Sequence, residues 1–247
     1  MRYSSRFEYK YIISPSDYYA IKHAMRPFIE LDDYTRLESK RRYLVRSVYY
    51  DTFDLRAFHE RNDGQYGRIK LRVRAYAKSA DDADVVSVEL KTKRGSSMTK
   101  YSALIPVDEY LTFLETGSFP TLKNPVVDEF ERLRRIRNLE PQIIVQYRRE
   151  GWRGRLEKDL RITFDHGVES ARAKTLFDNE STLFKLHRPK NIILEIKCTM
   201  KRPDWLRRII KQYDLKVITN SKYVQGIEVV RPHMVTPREE VPRHTKG

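Results

Sequence analysis

Apolar and polar residues alternate with a period of two along most of this chain. Residues two apart in a strand share one face of the sheet. Residues 68–77 show the pattern most clearly, because basic side chains alternate there with mostly apolar ones. The pattern predicts strands over residues 4–13, 42–51, 68–77, 85–93, 99–105, 142–149, 156–165, 191–199 and 214–219, with 223–230 as one further candidate.

Helical periodicity is restricted to four segments. Ser14-Pro15 is a start signal for the first, and residues 107–116 form the second, which ends at Gly117. Asn124-Pro125 and Pro203 start the other two. Because strands outnumber helices and show no regular alternation with them, we predict a mainly β (α+β) fold, an antiparallel sheet or barrel with peripheral helices.

The chain has 247 residues and a formal net charge of +15, from 49 Lys and Arg against 34 Asp and Glu. Such a charge favours an anionic partner: nucleic acid, a nucleotide, another polyphosphate or a membrane surface. The single cysteine, Cys198, excludes an intramolecular disulfide framework and a cysteine-based zinc site. No apolar run resembles a signal peptide or a membrane span, so we expect a cytoplasmic protein.

We expect one domain over residues 1–230. The stretch 231–247 is rich in proline and charge, and we expect it to be a disordered tail. Residues 79–84 read as an acidic hairpin loop.

The polar faces of the predicted strands carry mostly lysine and arginine. One such face alone would indicate contact with solvent, but six strands together would place mutually repelling cations side by side. Closing the sheet into a barrel with these faces inward makes a basic tunnel suited to an extended polyanion. The cations concerned are Lys10, Lys70, Arg72, Arg74, Lys91, Lys93, Arg149, Arg161 and Lys197.

Three carboxylates interrupt the basic faces, and each stands two residues before a lysine. They are Glu8, Glu89 and Glu195. A salt bridge to a neighbouring cation explains any one of them. Their recurrence favours a second role, because carboxylates among phosphates hold hard divalent cations such as Mg²⁺ or Mn²⁺.

A series of motifs in a fixed order over residues 3–230 resembles the triphosphate tunnel metalloenzymes, a CYTH-like superfamily, and within them the VTC-type polyphosphate polymerase domain. The motifs are RFEYKYII, RSVYYDTFDLRAFHER, RIKLRVRAY, VSVELKTKRG with TKYSA, VQYRREGWRG with LRITFD, LEIKC and SKYVQGIE. The chain has Arg6 where the wider superfamily has its first glutamate, which fits the polymerase branch. Thr219 stands where eukaryotic relatives have an additional lysine.

The resemblance implies a closed, antiparallel, eight-stranded tunnel that binds triphosphate or polyphosphate with Mn²⁺ or Mg²⁺. Its phosphate-binding positions correspond to Lys10, Lys70, Arg72, Lys91, Lys100, Tyr147, Arg149, Arg161, Ser221 and Lys222. Further candidates for the lining are Arg46, Arg74, Lys93 and Lys197. Glu195 corresponds to the metal carboxylate, with Glu8 and Glu89 as nearby acidic groups.

The resemblance favours a polymerase that transfers the γ-phosphate of ATP to inorganic polyphosphate. Two alternatives stay open: a metal-dependent tripolyphosphatase or nucleoside triphosphatase on the same tunnel, and a non-catalytic polyphosphate or nucleic-acid binder. Nucleic acid is disfavoured because the aromatic residues mostly alternate into the opposite face of the strands. A membrane partner, if there is one, would be a separate chain at the inner face of the membrane.

Overall fold

The computed structural model describes residues 7–95, 97–177, 182–199 and 201–235. Arg6 and the end of the predicted tail, 236–247, lie outside the described residues. Residues 231–235 are described, and Pro232–Met234 form a 3₁₀ turn. In the described part of the chain, the helices lack the length and apolar character needed to cross a membrane.

Ten strands and seven helices make up the described fold. The strands are β1 (Phe7–Ile13), β2 (Ile29–Leu31), β3 (Tyr43–Asp51), β4 (Gly67–Ala75), β5 (Val85–Arg94), β6 (Ser97–Pro106), β7 (Glu140–Gly154), β8 (Arg161–Ala171), β9 (Lys185–Leu186) and β10 (Ile192–Cys198). The helices are α1 (Pro15–Met25), α2 (Asp33–Leu37), α3 (Arg56–Asn62), α4 (Val107–Thr116), α5 (Pro125–Ile136), α6 (Asp204–Gln212) and α7 (Lys222–Val230).

Eight of the strands form one antiparallel path, which confirms the predicted fold class. Their order is β1-β10-β8-β7-β3-β4-β5-β6, with β2 paired to β7 and β9 paired to β8. Among the described residues the edge strands β1 and β6 do not pair, so the barrel has no hydrogen-bonded seam. The sheet is nevertheless strongly curved, as two contacts from distant strands show. Lys10 of β1 contacts Asn220, and Lys70 of β4 contacts Ser221, the next residue along the chain.

The helices form where the sequence carries start and stop signals. The Ser14 hydroxyl caps α1 by accepting from the backbone N–H of Asp17, and Asn124 caps α5 in the same way through Val126. Gly117 ends α4 in the left-handed region, at a φ of 76°. These four predicted helices, which include α6 after Pro203, are confirmed.

Two apolar cores lie on the outer face of the sheet. Helices α4 and α5 cover β4, β5 and β6 through residues such as Phe113, Phe130 and Val88. Helices α1 and α6 cover β1, β10 and β8 through residues such as Ile21 and Leu206. The outer positions of the strands are therefore apolar, and the alternate positions form an inner face.

A third apolar core lies on the inner face and belongs to α7. Tyr223, Val224 and Ile227 pack there against β3, β7, β8 and β10. Gly226 allows the close approach, because a Cβ at this position would lie 2.5 Å from Ile143 Cδ1 and 2.7 Å from Ser170 Oγ. Helix α7 thus covers part of the inner face and leaves the rest charged.

Two strand predictions near the C-terminus were wrong. Residues 214–219 form no strand: Ile218 donates one backbone hydrogen bond to Lys10, with no ladder around it. Residues 223–230 belong to helix α7, which Ser221 caps by accepting from the Val224 N–H at 3.5 Å. The acidic segment 79–84 lies in the β4–β5 connection, as predicted.

Candidate active site

Seven of the eight strands of the path carry charged residues along the inner face of the sheet. The exception is β3, whose inner residues are uncharged until Asp51 at its end. The neighbours of these charged residues along each strand lie in the outer cores, for example Leu71, Val73 and Ile196. The strand register aligns the charged positions in cross-strand pairs, among them Arg72 with Glu89 and Lys10 with Glu195. Inner carboxylates therefore stand beside inner cations.

The first charged cluster is centred on Glu89, which is buried in β5. Arg72 donates to Glu89 Oε2 from Nε at 2.7 Å and from Nη2 at 2.5 Å. Lys100 Nζ lies 3.2 Å from Glu89 Oε1, and Arg74 lies 3.9 Å from it. Burial would raise the pKa of Glu89, but the three cations outweigh burial and lower the pKa to about 2. Arg72 also donates to the Tyr49 hydroxyl at 3.1 Å, so its guanidinium is held in one orientation.

The second cluster is centred on Asp165, a fully buried residue of β8. Arg149 donates to both of its carboxylate oxygens, at 2.6 and 2.9 Å, and Lys222 Nζ lies 2.6 Å from Oδ2. The Tyr147 ring lies beneath both cations, 5.2 Å from the Arg149 guanidinium and 4.7 Å from Lys222 Nζ. Burial opposes ionisation of Asp165, yet Arg149 and Lys222 lower its pKa to about 2.

Asp165 was not among the predicted site residues. The signal was present, because Asp165 lies on the same strand face as Arg161, four residues away, within the motif LRITFD. Its carboxylate contacts both Arg149 of β7 and Lys222 of α7, and so positions two residues that were predicted to bind phosphate.

The third cluster holds the two carboxylates best placed to bind a metal. Glu195 contacts Lys197 Nζ at 2.6 Å and lies 3.8 Å from Arg149 Nη2, and Glu8 contacts Lys10 Nζ at 2.8 Å. Burial and the charge of Glu195 oppose ionisation of Glu8, but the neighbouring lysines outweigh them and lower its pKa. The pKa of Glu195 lies well below its ordinary value, since Lys197 and Lys10 outweigh burial. Both groups are ionised and near each other.

The donor set fits a hard divalent cation that is completed by its substrate. The described residues contain no group of three His, Cys, Asp or Glu side chains able to hold a metal. Glu89 belongs to a separate cluster, on β5, and is neutralised by three cations. Mg²⁺ is commonly bound by one or two carboxylates together with substrate phosphates, a role that Glu195 and Glu8 suit.

The inner lysines Lys70 and Lys91 have no carboxylate partner within 4.0 Å among the described residues. Lys70 Nζ lies 3.4 Å from Ser221 Oγ and 4.9 Å from the centre of the Tyr223 ring. Burial, followed by the charges of Arg61 and Lys91, lowers the pKa of Lys70 to about 7. Burial also lowers the pKa of Lys91, although Glu8 lies nearby. Lys70 and Lys91 are cross-strand partners, so they form an uncompensated basic pair.

Among the described residues, Arg161 and Lys93 form no ion pair with the carboxylates of the three clusters. Arg161 is at the first residue of β8, half exposed, and its guanidinium lies 3.3 Å from Asp32 Oδ2. Asp32 in turn fills the space beside Gly151, where a Cβ would lie 1.9 Å from its carboxylate. Lys93 continues the inner row of β5, opposite Arg68.

The prediction that Arg46 lines the tunnel was wrong. Arg46 shares the outer face of β3 with Val48 and Tyr50, which pack in an outer core. Its guanidinium is buried there and donates to the Gln146 side chain at 3.0 Å and to the Lys78 carbonyl at 2.8 Å. Arg46 therefore connects the β4–β5 loop to β7 on the outer side of the barrel.

Comparison with known proteins gives one family and one fold. A family model described as the VTC domain matches residues 5–231. A candidate adenylate cyclase from Bacillus halodurans is similar in structure, at a TM-score of 0.52 and 14% identity over 88% of this chain and 94% of that chain.

A protein from Pyrococcus horikoshii matches at a TM-score of 0.41 and 14% identity, over 89% of this chain and 97% of its own. The capping enzyme triphosphatase of Mimivirus matches at 0.30 and 11%, over 83% and 86%. No curated protein matches the chain.

Proposed function

We propose that this chain, which belongs to the VTC domain family, is a metal-dependent polyphosphate polymerase. It transfers the γ-phosphate of ATP to the end of an inorganic polyphosphate chain. The observation that carries the proposal is the inner row of cations in which Lys70 and Lys91 lack carboxylate partners among the described residues. A polyanion supplies the counter-charge that this row lacks.

Phosphoryl transfer needs positioning and charge neutralisation more than a protein nucleophile. Arg72 and Arg149, each already oriented by a carboxylate, bind the triphosphate oxygens through the N–H groups that these contacts leave available. Lys70, Lys91 and Lys222 add point charges along the same path. A triphosphate bound along these groups would have its phosphates beside Glu195 and Glu8.

Glu195, with Glu8 beside it, would hold Mn²⁺ or Mg²⁺, which supplies neutralisation of the charge that develops on the transferred phosphoryl group. In the transfer step, a terminal oxygen of the acceptor chain forms a bond to the γ-phosphorus. The bond between that phosphorus and the β–γ bridging oxygen breaks, and ADP leaves. The same tunnel would make a hydrolase if water replaced the acceptor chain.

Incubation of the purified protein with ATP and Mn²⁺ tests the proposal, with products resolved on gels and free phosphate assayed. We expect phosphate chains that are sensitive to a polyphosphatase and little free phosphate. Stoichiometric phosphate release would identify a triphosphatase instead. Polyphosphate binding without turnover would identify a binding protein.

A matched pair of charge-neutralising variants tests the metal assignment. Glu195→Gln removes one inner carboxylate charge and should abolish turnover with either metal. Glu228→Gln makes the same change at an exposed position of α7 and should leave turnover unchanged. Normal turnover by Glu195→Gln would overturn the assignment of Glu195 to the metal.

A further inference from the structure

Three tyrosines from distant parts of the chain meet at the end of the sheet where β3 begins and β4 ends. Tyr34 is carried by α2, Tyr43 is the first residue of β3, and Tyr76 directly follows β4. The Tyr34 and Tyr76 rings are nearly parallel, with 18° between their planes and 6.0 Å between their centres. Both rings contact Tyr43, at 5.9 and 5.8 Å.

The buried member of this cluster connects it to the charged interior. Tyr43 lies on the inner face and is the cross-strand partner of Arg149. Burial raises the pKa of Tyr43 to about 12, and Arg149, Asp32 and Arg161 are the charged groups close enough to affect it. The aromatic cluster is therefore adjacent to Arg149, which the proposed function places on a phosphate.

The other two members present their rings to solvent. Tyr34 is 61% exposed and Tyr76 is 48% exposed, whereas Tyr43 is 5% exposed. Helix α2 is fixed against the barrel wall, because Asp32 caps it, accepts from Arg161 and occupies the space beside Gly151. Tyr34 is thus held in place by a short, anchored helix.

We propose that Tyr34 and Tyr76 form a stacking platform for the base of a nucleoside triphosphate, at the mouth of the tunnel. The inference rests on the proposed function and adds to it a binding site for the base of the nucleotide donor. The charged interior suits phosphates and not an apolar base, so the base stays at the rim, where the two exposed rings contact Tyr43, the cross-strand partner of Arg149. Every nucleobase has a π face, so the platform does not select among the bases.

Binding measurements with two ligands of equal phosphate content test this platform. Isothermal titration calorimetry with Mn²⁺ present compares a non-hydrolysable β,γ-imido analogue of ATP with inorganic tripolyphosphate. The variants are the double substitution Tyr34→Ala/Tyr76→Ala, its counterpart Tyr34→Phe/Tyr76→Phe, and Tyr101→Ala. Tyr101 is also 48% exposed but lies on the outer face of β6, so it is the matched control.

We expect the double alanine variant to weaken binding of the ATP analogue by about 5- to 150-fold, the factor for a stacking energy of roughly 1–3 kcal/mol. Its Kd for tripolyphosphate should stay within about twofold of the wild-type value. The double phenylalanine variant and Tyr101→Ala should match the wild type with both ligands.

Equal weakening of both ligands, or no weakening of either, would overturn the platform and leave the proposed function standing. The same holds if the wild type shows no preference for the ATP analogue over tripolyphosphate. If the wild type binds neither ligand, the proposed function fails and the platform fails with it.

Discussion

Replacing Lys70 with methionine should make the protein more stable and should weaken its binding of tripolyphosphate. Methionine keeps most of the length of the lysine side chain but carries no charge. The Lys70 ammonium group has a hydroxyl and a tyrosine ring as neighbours, at 3.4 and 4.9 Å, and no carboxylate partner among the described residues. Because the charge is poorly compensated, its removal relieves a cost that the folded state carries.

The size of the cost follows from the pKa of Lys70, which is lowered from 10.5 to about 7 by burial and then by neighbouring cations. A shift of one unit corresponds to roughly 1.4 kcal/mol, so the charged form costs the folded state at most about 4–5 kcal/mol. Partial hydration of the side chain and its two weak contacts reduce the expected gain to about 2–3 kcal/mol.

The gain should depend on pH in a defined direction. Between pH 7 and 10.5 the unfolded chain holds a proton on Lys70 that the folded chain has lost, so wild-type stability rises with pH across this window. Lys70→Met lacks this contribution. Its advantage should be largest at pH 7 and below, and should shrink as the pH approaches 10.

Urea unfolding of wild type and variant at pH 6, 7 and 9 measures the effect, with Lys216→Met as the control at an exposed lysine. Tripolyphosphate affinity, measured on the same samples, should fall by about 10-fold or more through loss of one charged contact. A variant that is less stable than the wild type at pH 6 would refute the reasoning, and so would an advantage that grows with pH.

Three further predictions concern the supports of the site. Asp165→Asn should lower the free energy of unfolding by about 3–5 kcal/mol, because Arg149 and Lys222 lose their shared buried counter-ion; a loss under about 1 kcal/mol in urea unfolding would contradict this. Gly226→Ala should cost about 1–3 kcal/mol by overpacking α7 against β7 and β8, and an unchanged thermal midpoint would show that the contact relaxes freely. Arg46→Met should lower the thermal midpoint while the Kd for tripolyphosphate stays unchanged; a large rise in that Kd would return Arg46 to the tunnel lining.

Strand alternation carried most of the fold prediction, because an inner face lined with charge and an outer face covered by helices impose a strict period of two. Residues 68–77 illustrate this, since the basic and apolar positions separate as the sequence indicates. Arg46 is the instructive exception. Its neighbours two residues away on the strand are Leu44 and Val48, so the alternation itself placed it on the outer face, and the assignment to the lining ignored that register.

The segment after residue 213 could not be read from local pattern. Residues 222–230 contain several β-branched residues, which favour a strand, and a glycine, which disfavours a helix. Ser221 nevertheless caps a helix whose apolar side packs on the inner face of the barrel. Burial of the apolar side of α7 therefore outweighs the strand propensity of its residues. The aromatic cluster was missed for a related reason: Tyr34, Tyr43 and Tyr76 come from separate elements, and no spacing in the sequence shows that they meet.

The charged interior combines two kinds of cation with different roles. Arg72 and Arg149 are oriented by buried carboxylates, which lower their cost to the folded state and fix the direction of their donors. Lys70 and Lys91 have no such partners among the described residues and so destabilise the empty tunnel. A bound polyanion removes that cost at the lysines and meets preoriented donors at the arginines. The site should therefore couple binding to stability, so that the thermal midpoint rises steeply with tripolyphosphate concentration.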